Sequence, residues 1–222
     1  MSSKTAKTTF GLKYLDTPSL PISDQIALDR ELMSEVGRGE RPPLLRFYNF
    51  TDEAIVLGLS QEEEKYVQIS NAQEDDVPIL RRFSGGGTVF IHPGCLVYTI
   101  ITTITPPFKR FDVMGAYRIA FAPIIEAFQN QGLNLEFHEP CDLAIQNKKI
   151  AGNAQSQKNR AILIHGSFLI DPDLQRINRY LKEPDVRPDY RAQRPHEDFL
   201  QPLANLGFTE QSLKTLLINA WC

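Results

Sequence analysis

The stretch Leu80–Phe90, LRRFSGGGTVF, decides how this chain folds. It joins two apolar runs through three consecutive glycines, and the adjacent Arg81 and Arg82 close the first run. Three glycines allow the backbone to enter left-handed conformations and allow a ligand to lie directly against the main chain. The pattern therefore predicts two strands joined by a turn that is not an ordinary hairpin. Guanidinium groups beside such a turn offer forked donors suited to a carboxylate or a phosphate.

A second segment places cations beside glycine in the same way. Lys148–Gln155, KKIAGNAQ, is followed by Ile162–Leu169, ILIHGSFL. Alternate side chains of a strand share one face, so Lys149 and Asn153 are predicted to reach the same ligand. Each segment alone also fits a simpler interpretation, a Gly-rich turn with solvated arginines or a solvated lysine pair. Their occurrence in one chain favours a shared ligand site.

The length and composition are those of one globular domain. The chain has 222 residues, of which 42% are apolar and 23% charged, and its net charge of -3 argues against nucleic acid as the main partner. It lacks the run of about 18 apolar residues that a membrane helix needs. The N-terminus has no signal-peptide core, so a cytoplasmic location is expected and Cys95, Cys141 and Cys222 are interpreted as free thiols.

Apolar periodicity predicts helices and strands without a clean βαβ rhythm. Helices are predicted at 22–36, 111–131, 174–181 and 209–220, with Ser23 or Asp24 capping the first, Gly132 closing the second and Thr209 capping the last. Strands are predicted at 9–15, 44–50, 54–59, 77–83, 88–90, 95–104, 143–145, 149–155 and 161–170, with 95–104 central. Residues 61–76 are predicted as a polar loop or frayed helix, and 182–203 as an ordered loop over the site. We expect an α+β fold with a mixed, largely antiparallel sheet backed by helices.

Taken in order, the motifs resemble the lipoate–protein ligase A and octanoyltransferase family. Arg-Arg-x-x-Gly-Gly-Gly-x-Val is followed by Asp-Leu, then by Lys-x-x-Gly-x-Ala, then by His-Gly-Ser-x-Leu. Upstream, Gly58–Gln61 is similar to the family's Gly-x-x-Gln strand end, and downstream residues 181–200 are similar to its closing loop. The resemblance covers about residues 22–203, most of the chain.

The resemblance implies a catalytic domain like that of biotin–protein ligases, which attaches lipoate or octanoate to one lysine of a lipoyl domain or a glycine-cleavage carrier protein. ATP and Mg²⁺ are implied, because the family's ligases first form an acyl-adenylate. Lys149 is implied as the catalytic lysine that stabilises charge on the acyl carbonyl and the phosphate bridge. Asp142 corresponds to an acidic position near Mg²⁺ and the incoming lysine. The implied substrate-binding residues are Arg81, Arg82, Gly85, Gly86, Gly87, Asp142, Gly152, Asn153, Ala154, His165, Gly166 and Ser167.

The chain also departs from the family pattern. Gly94-Cys95 and Cys141-Asp142 stand where the family often has Gly-Asn and Asn-Asp, and Ile164-His165 replaces a double histidine. Longer ligases of the family carry a C-terminal accessory domain. We expect residues 1–222 to form a single catalytic domain without one, so a separate accessory chain or transfer from acyl carrier protein stays open.

Three alternatives remain open on the sequence. An ATP-independent octanoyltransferase using octanoyl-acyl carrier protein needs a thiolate, for which Cys141, eight residues before Lys149, is the candidate. An acyl-binding module without chemistry would keep the pocket alone. Biotinylation is disfavoured, since the loop is not of the Gly-Arg-Gly-Arg-x-Gly-Arg type.

The remaining charged residues suggest a protein partner rather than a metal. His92, His138, His165 and His196 show no metal-ligand spacing, so no metal held by protein clusters is expected. Arg187, Arg191 and Arg194 are predicted either to face an acidic acceptor or to be a solvated basic loop. No nucleic acid or membrane partner is expected.

Overall fold

The computed structural model describes residues 11–184 and 187–222. Its strands, in chain order, are β1 (Lys13–Tyr14), β2 (Ser19–Leu20), β3 (Leu44–Phe47), β4 (Asn49–Phe50), β5 (Ala54–Leu57), β6 (Ile79–Arg81), β7 (Val89–Ile91), β8 (Cys95–Thr103), β9 (Leu135–His138), β10 (Asp142–Ile145), β11 (Lys148–Lys158) and β12 (Ala161–Leu169). Its α-helices are α1 (Ile22–Arg38), α2 (Glu63–Tyr66), α3 (Ile69–Glu74), α4 (Val113–Gln129), α5 (Leu174–Tyr180), α6 (His196–Phe199) and α7 (Glu210–Trp221). The strand predicted at 9–15 begins outside the described residues.

A seven-stranded sheet forms the centre of the fold, in the order β1-β3-β8-β12-β11-β10-β9. All its pairings are antiparallel except that of β1 with β3. The predicted α+β fold with a largely antiparallel sheet is confirmed. Residues 95–102 of β8 are all buried, as expected for a strand covered on both faces.

The glycine stretch connects the two outer strands of a second, three-stranded sheet. In that sheet β5 lies in the middle, parallel to β6 and antiparallel to β7. Because β6 and β7 both pair with β5, the loop between them crosses the end of β5, and the prediction that it is not a hairpin is confirmed. The crossing is close, since a Cβ at Gly58 would lie 2.1 Å from the Gly86 carbonyl oxygen.

The two faces of the main sheet have different cover. On one face α4 and α7 pack on β8 and β12, and the Trp221 indole donates a 2.7 Å hydrogen bond to the Ala120 carbonyl. On the other face lie α1 and the small sheet, where Ile22, Val56 and Val97 share one cluster. Side chains of a strand alternate between faces, so the sequence of β8 serves both layers.

Helix ends show where local prediction succeeds and where it fails. Thr209 caps α7, as its sequence predicts, and the structure shows that it does so in a reciprocal capping box with Ser212. For α1 the prediction of Ser23 or Asp24 as cap is wrong. The amide of Ile22 instead donates a 2.8 Å hydrogen bond to the Asp52 carboxylate, 30 residues away. A tertiary contact therefore replaces the local cap.

Some elements differ from the sequence prediction. Residues 61–76 contain α2 and α3, and Val67 and Ala72 are buried in a cluster that includes Tyr180 of α5. The sequence prediction missed β9, a short edge strand beside β10. The described residues of the region 182–203, namely 182–184 and 187–203, are hereafter called the strap, and they contain a 3-10 turn at Asp189–Arg191 and α6. Within the described ranges, no helix is long and apolar enough to cross a bilayer.

Candidate active site

Two adjoining cavities lie between the main sheet, the glycine loop and the strap. The inner cavity is mostly apolar, with Ile22 and Ile26 of α1 and Val56, Ile91 and Val97 of the two sheets in its walls. The outer cavity is bounded by the strap and α5, and it carries the cationic side chains Lys182 and Arg191. The residues that line both cavities are Gly87, Thr88, Val89, Lys149, Gly152 and Ser167.

Lys149 lies at the junction of the two cavities and is paired with Asp142. Its Nζ lies 2.7 Å from Asp142 Oδ1, and its side chain is 26% exposed. Gly152 makes this conformation possible, because a Cβ there would lie 3.0 Å from both Cε and Nζ of Lys149. The Lys-x-x-Gly spacing thus lets the lysine side chain fold back over its own strand.

The electrostatics of this pair keep the lysine charged. Burial alone would lower the pKa of Lys149, but the nearby Asp142 carboxylate outweighs it and the pKa is raised. The neighbouring Cys141 lines the inner cavity, and the same surroundings make its thiol less reactive. Burial, together with the Asp142 charge, raises the pKa of the Cys141 thiol, so the thiolate is disfavoured in this arrangement.

The two consecutive arginines face different environments. Arg81 is exposed and its Nη1 donates to the carbonyls of Gly58 and Gln61, at 2.9 and 2.5 Å. Arg82 is 6% exposed, lines the inner cavity, and its Nη2 donates to the Gly85 and Gly87 carbonyls. The structure therefore brings Arg82, and not Arg81, to the cavity walls with the other predicted residues.

Arg82 is a buried cation without an acidic partner among the described residues. Its hydrogen bonds go to backbone carbonyls and to the Ser84 hydroxyl, and no ion pair includes it. Burial lowers the pKa of Arg82 to about 10, so the guanidinium stays protonated at neutral pH. A desolvated charge of this kind favours an anionic ligand in the adjoining cavity.

A buried polar network links α1 to the glycine loop. Asp29, on α1, pairs with Arg46 of β3 at 2.6 Å and also accepts hydrogen bonds from Tyr48 and Thr99. Sequence reasoning missed these residues. The available signal was Arg46, a charged residue inside the apolar run 44–48 that the structure buries completely.

His165 connects this network to the loop. Its Nε2 lies 2.6 Å from Ser84 Oγ, and its Nδ1 lies 3.4 Å from Asp29 Oδ2. Burial lowers the pKa of His165 despite the Asp29 charge, so the ring is neutral at pH 7. Although the three side chains stand in the order of a nucleophile triad, Ser84 is 1% exposed and lies off both cavity walls. Their arrangement fastens the loop to the core.

The strap closes over Asp142 and Lys149. The Tyr190 hydroxyl donates a 2.8 Å hydrogen bond to Asp142 Oδ2, and the Tyr190 ring stacks on His138 with ring centroids 4.0 Å apart. The Gln201 amide donates to the Lys149 carbonyl at 2.8 Å. Sequence reasoning placed Tyr190 in the closing loop but did not predict its hydrogen bond to Asp142, which depends on tertiary structure.

The basic residues of the strap are held by partners within the protein. Arg191 is only 3% exposed, and it pairs with Glu183 at 2.6 Å. Arg187 also lies near Glu183, and Arg194 donates to the carbonyls of Asn147 and Tyr190. Internal pairing therefore occupies these side chains, and the surface expected from Arg187, Arg191 and Arg194 is wrong for Arg191.

The other predicted site residues surround the same space. Asn153 is braced from both sides, donating to the Cys141 carbonyl at 2.7 Å and accepting from Tyr98 at 2.6 Å. Gly85 and Gly86 lie in the loop that Arg82 braces. The predicted residues on the cavity walls are Arg82, Gly87, Cys141, Lys149, Gly152, Asn153, Ala154, His165, Gly166 and Ser167.

A metal-binding cluster is not found in the parts of the chain that the structure describes. Both oxygens of Asp142 are already bonded, one to Lys149 and the other to Tyr190. This donor set does not fit a divalent ion held by the protein alone.

The match to known proteins agrees with this geometry. The model of the lipoyl protein ligase A/B catalytic domain family matches residues 21–219. This chain belongs to that family. The family resemblance seen in the sequence motifs is therefore confirmed.

Individual relatives carry two kinds of name. The octanoyltransferase LipM of Geobacillus kaustophilus is 29% identical over 205 residues, covering 82% of this chain and 73% of the relative. A Mycoplasma pneumoniae protein named "Probable lipoate-protein ligase A" is 31% identical over 155 residues, covering 70% of this chain and 44% of the relative.

Solved structures share the fold. A bi-partite lipoate protein ligase from Thermoplasma acidophilum, described with its E2 lipoyl domain, superposes with a TM-score of 0.75 at 22% identity, over 94% of this chain and 81% of the other. A lipoate-protein ligase A bound with ATP gives a TM-score of 0.74 at 21% identity, over 94% and 82%.

Proposed function

We propose that this protein attaches lipoate or octanoate to a lysine of a lipoyl-domain protein, through an acyl-adenylate formed from ATP. The observation that carries the proposal is the position of Lys149, whose ammonium lies where an apolar cavity meets a cationic one. A fatty acid and a nucleotide that approach from the two sides would meet at this charge.

The inner cavity suits the acyl group. Its walls include the aliphatic side chains of Ile22, Ile26, Val56, Val89, Ile91 and Val97, which favour an apolar chain through burial. The guanidinium of Arg82, which also lines this cavity and has no carboxylate partner among the described residues, offers a positive charge for the carboxylate of such a chain.

The outer cavity suits the phosphates and the base of a nucleotide. Three cationic side chains line it, of which Lys149 and Arg191 are paired with Asp142 and Glu183, and the third is Lys182. Phe90 and Phe199 supply aromatic surface. These residues fit ATP as a substrate. Mg²⁺ would arrive on the phosphates, since both Asp142 oxygens are bonded to protein groups.

The reaction follows in two balanced steps. A carboxylate oxygen attacks the α-phosphorus of ATP, the bond to the β-phosphate breaks, and pyrophosphate leaves with an acyl-adenylate behind it. The neutral amine of the acceptor lysine then attacks the acyl carbonyl, AMP leaves, and the amine loses a proton. In both steps Lys149 stabilises negative charge that develops on carbonyl and phosphate oxygens.

A second candidate is ATP-independent transfer from octanoyl-acyl carrier protein, favoured by the octanoyltransferase names of several relatives. Transfer through a thioester would need the thiolate of Cys141, whose pKa is raised here. We therefore rank it below the adenylation reaction.

One experiment separates the two. The purified protein is incubated with octanoate or lipoate, MgATP and an apo lipoyl domain, and in parallel with octanoyl-acyl carrier protein and the same acceptor. Intact mass of the acceptor reports the product. We expect an acyl mass increase with MgATP. An increase only with the carrier substrate would replace the ligase by the transferase, and no increase in either reaction would overturn both.

A further inference from the structure

The floor of the inner cavity is a row of four residues that runs across the middle of the main sheet, three of them on adjacent strands and the fourth directly after β3. Gly152 of β11 pairs with Ser167 of β12, and Ser167 pairs with Val97 of β8. The amide of Tyr48, directly after β3, donates a 2.9 Å hydrogen bond to the Val97 carbonyl. All four residues line the inner cavity. We call them the floor row.

The floor row begins at the reacting end and has a definite length. Gly152 lies beneath the Lys149 ammonium. Neighbouring strands are about 4.8 Å apart, so the three steps from Gly152 to Tyr48 span about 14 Å of backbone. An extended alkyl chain advances about 1.3 Å per carbon for bonds of about 1.5 Å, so eight carbons span about 9 Å. The difference of about 5 Å between the floor row and an eight-carbon chain is about the width of an aromatic ring.

Side-chain size changes abruptly along the floor row. Gly152, Ser167 and Val97 are small, and Tyr48 is the first large side chain met from the Lys149 end. Beyond it, the segment before α1 closes the sheet edge, where Thr17 donates to the Phe47 carbonyl at 3.2 Å and Asn49 donates to the Thr17 carbonyl at 2.7 Å. The tyrosine ring therefore stands where the open floor ends.

Tyr48 is held firmly in this position. Its hydroxyl donates a 2.7 Å hydrogen bond to Asp29, and the Arg46 guanidinium carbon lies 4.7 Å from the centre of its ring. Asp29 and Arg46 are both fully buried and paired with each other. Rotation of the ring would leave the Asp29 oxygen with one partner fewer in a desolvated site, which is costly.

We propose that Tyr48 is the end wall that sets the length of the acyl chain, so that unbranched chains of about eight carbons are accepted and longer ones are rejected. The inference rests on the proposed function for the identity of the ligand. It adds the residue that selects among acids of one chemical class.

The test is a competition between acids of different length. Wild type, Tyr48→Ala and Tyr48→Phe receive an equimolar mixture of octanoate, decanoate and dodecanoate with MgATP and an apo lipoyl domain, and intact mass gives the product ratio. We expect Tyr48→Ala to raise the dodecanoyl-to-octanoyl ratio about tenfold or more, since four methylenes gain a place to bind. Tyr48→Phe keeps the ring and is expected to keep the wild-type ratio. An unchanged ratio in folded Tyr48→Ala overturns the proposal.

A second variant covers the case in which Tyr48→Ala does not fold. Val97→Phe moves the obstruction one strand closer to Lys149, about 5 Å or four carbons, and is expected to favour butyrate and hexanoate over octanoate. Retention of the octanoate preference in this variant overturns the end-wall role.

Calorimetric titration of the free acids separates this inference from the proposed function. A fall in affinity beyond eight carbons in wild type, lost in Tyr48→Ala, supports the end wall even if no acyl transfer occurs. Equal affinity for all lengths in wild type overturns it, whatever the enzymatic activity.

Discussion

Two aspartate-centred ion pairs lie beside the same inner cavity, and their surroundings differ. Arg46 and Asp29 are 2.6 Å apart, fully buried, and held between a helix and a strand. Lys149 and Asp142 are 2.7 Å apart, but Lys149 is 26% exposed and the remaining Asp142 oxygen is bonded to Tyr190 of the strap. The two ion pairs therefore have similar lengths, although one is fully buried and the other is accessible to a ligand.

The difference in exposure between the two ion pairs shows how the surroundings of such a pair determine its role. A fully desolvated pair persists only where further hydrogen bonds satisfy both partners, as Tyr48 and Thr99 do for Asp29. Such a pair fixes structure. A pair whose lysine is partly exposed at a cavity junction can exchange one partner for a substrate group at lower cost, and we expect that of Lys149 and Asp142.

The most severe test of the comparison is Asp29→Asn. It leaves the Arg46 charge buried without its carboxylate, and we expect the free energy of unfolding to fall by about 3–5 kcal/mol. Denaturant titration measures the loss. Glu31→Gln, exposed on the same helix, is the matched control and is expected to change stability by less than about 0.5 kcal/mol. A loss below about 1 kcal/mol for Asp29→Asn would contradict the structural role.

The same pair gives a pH signature. Burial raises the pKa of Asp29, but the His165 hydrogen bond and the Arg46 charge outweigh it, so the folded-state pKa is lowered. The stabilisation is therefore fully present above the unfolded pKa of about 3.9 and is lost as the pH falls through the folded value. The stability difference between wild type and Asp29→Asn should shrink only below about pH 4.

Lys149→Ala tests the pair of Lys149 and Asp142, hereafter the open pair. We expect the rate of acyl transfer to fall by about 10²–10³-fold while the denaturation midpoint changes little, because the lost charge acts on the transition state. Lys148→Ala, the neighbouring residue off both cavity walls, is the control and should transfer at the wild-type rate. Acyl transfer at the wild-type rate by Lys149→Ala would contradict the assignment of Lys149 as the catalytic residue.

Tyr190→Phe tests how firmly the strap holds the open pair. The variant keeps the ring that stacks on His138 but loses the hydrogen bond to Asp142. A hydrogen bond to a charged group contributes about 1.5–3 kcal/mol, so amide exchange in residues 188–199 should accelerate about tenfold or more. Hydrogen-exchange mass spectrometry reads this, with Tyr66→Phe as the control. Unchanged exchange would show that Tyr190 does not fasten the strap.

The smallest expected effect concerns Cys141. In a Cys222→Ser background, iodoacetamide should modify this thiol slowly at pH 7, with a rate that still rises at pH 9, because its pKa lies above the ordinary value. Asp142→Asn removes a charge that disfavours the thiolate and should accelerate the reaction. A rate already constant below pH 7 would instead indicate a thiolate and revive the thioester route.

Features governed by local periodicity were predictable from the sequence. The central strand at 95–104, the helix cap at Thr209 and the Lys149-x-x-Gly152 spacing all depend on neighbours within a few residues. The topology of the glycine stretch was also predictable in part, since three consecutive glycines exclude an ordinary hairpin between the strands that flank them.

What the sequence did not reveal depends on distant pairing. Arg81 and Arg82 are equivalent in sequence, and only the pairing of β6 with β5 decides which one enters the cavity. Asp29 and His165 are 136 residues apart, and Asp52 is 30 residues from Ile22, whose amide it caps. Nothing in local composition connects such residues, so the buried network could not be predicted.

The floor row runs across the strands rather than along one. A substitution at one of its positions therefore changes the depth of the inner cavity in large steps. Moving a bulky side chain from one strand to the next shifts the usable depth by about 5 Å. Relatives with this sheet would then diverge in chain preference by jumps of several methylenes. Finer discrimination would fall to the opposing wall, where Ile22 and Ile26 of α1 can vary by single carbons.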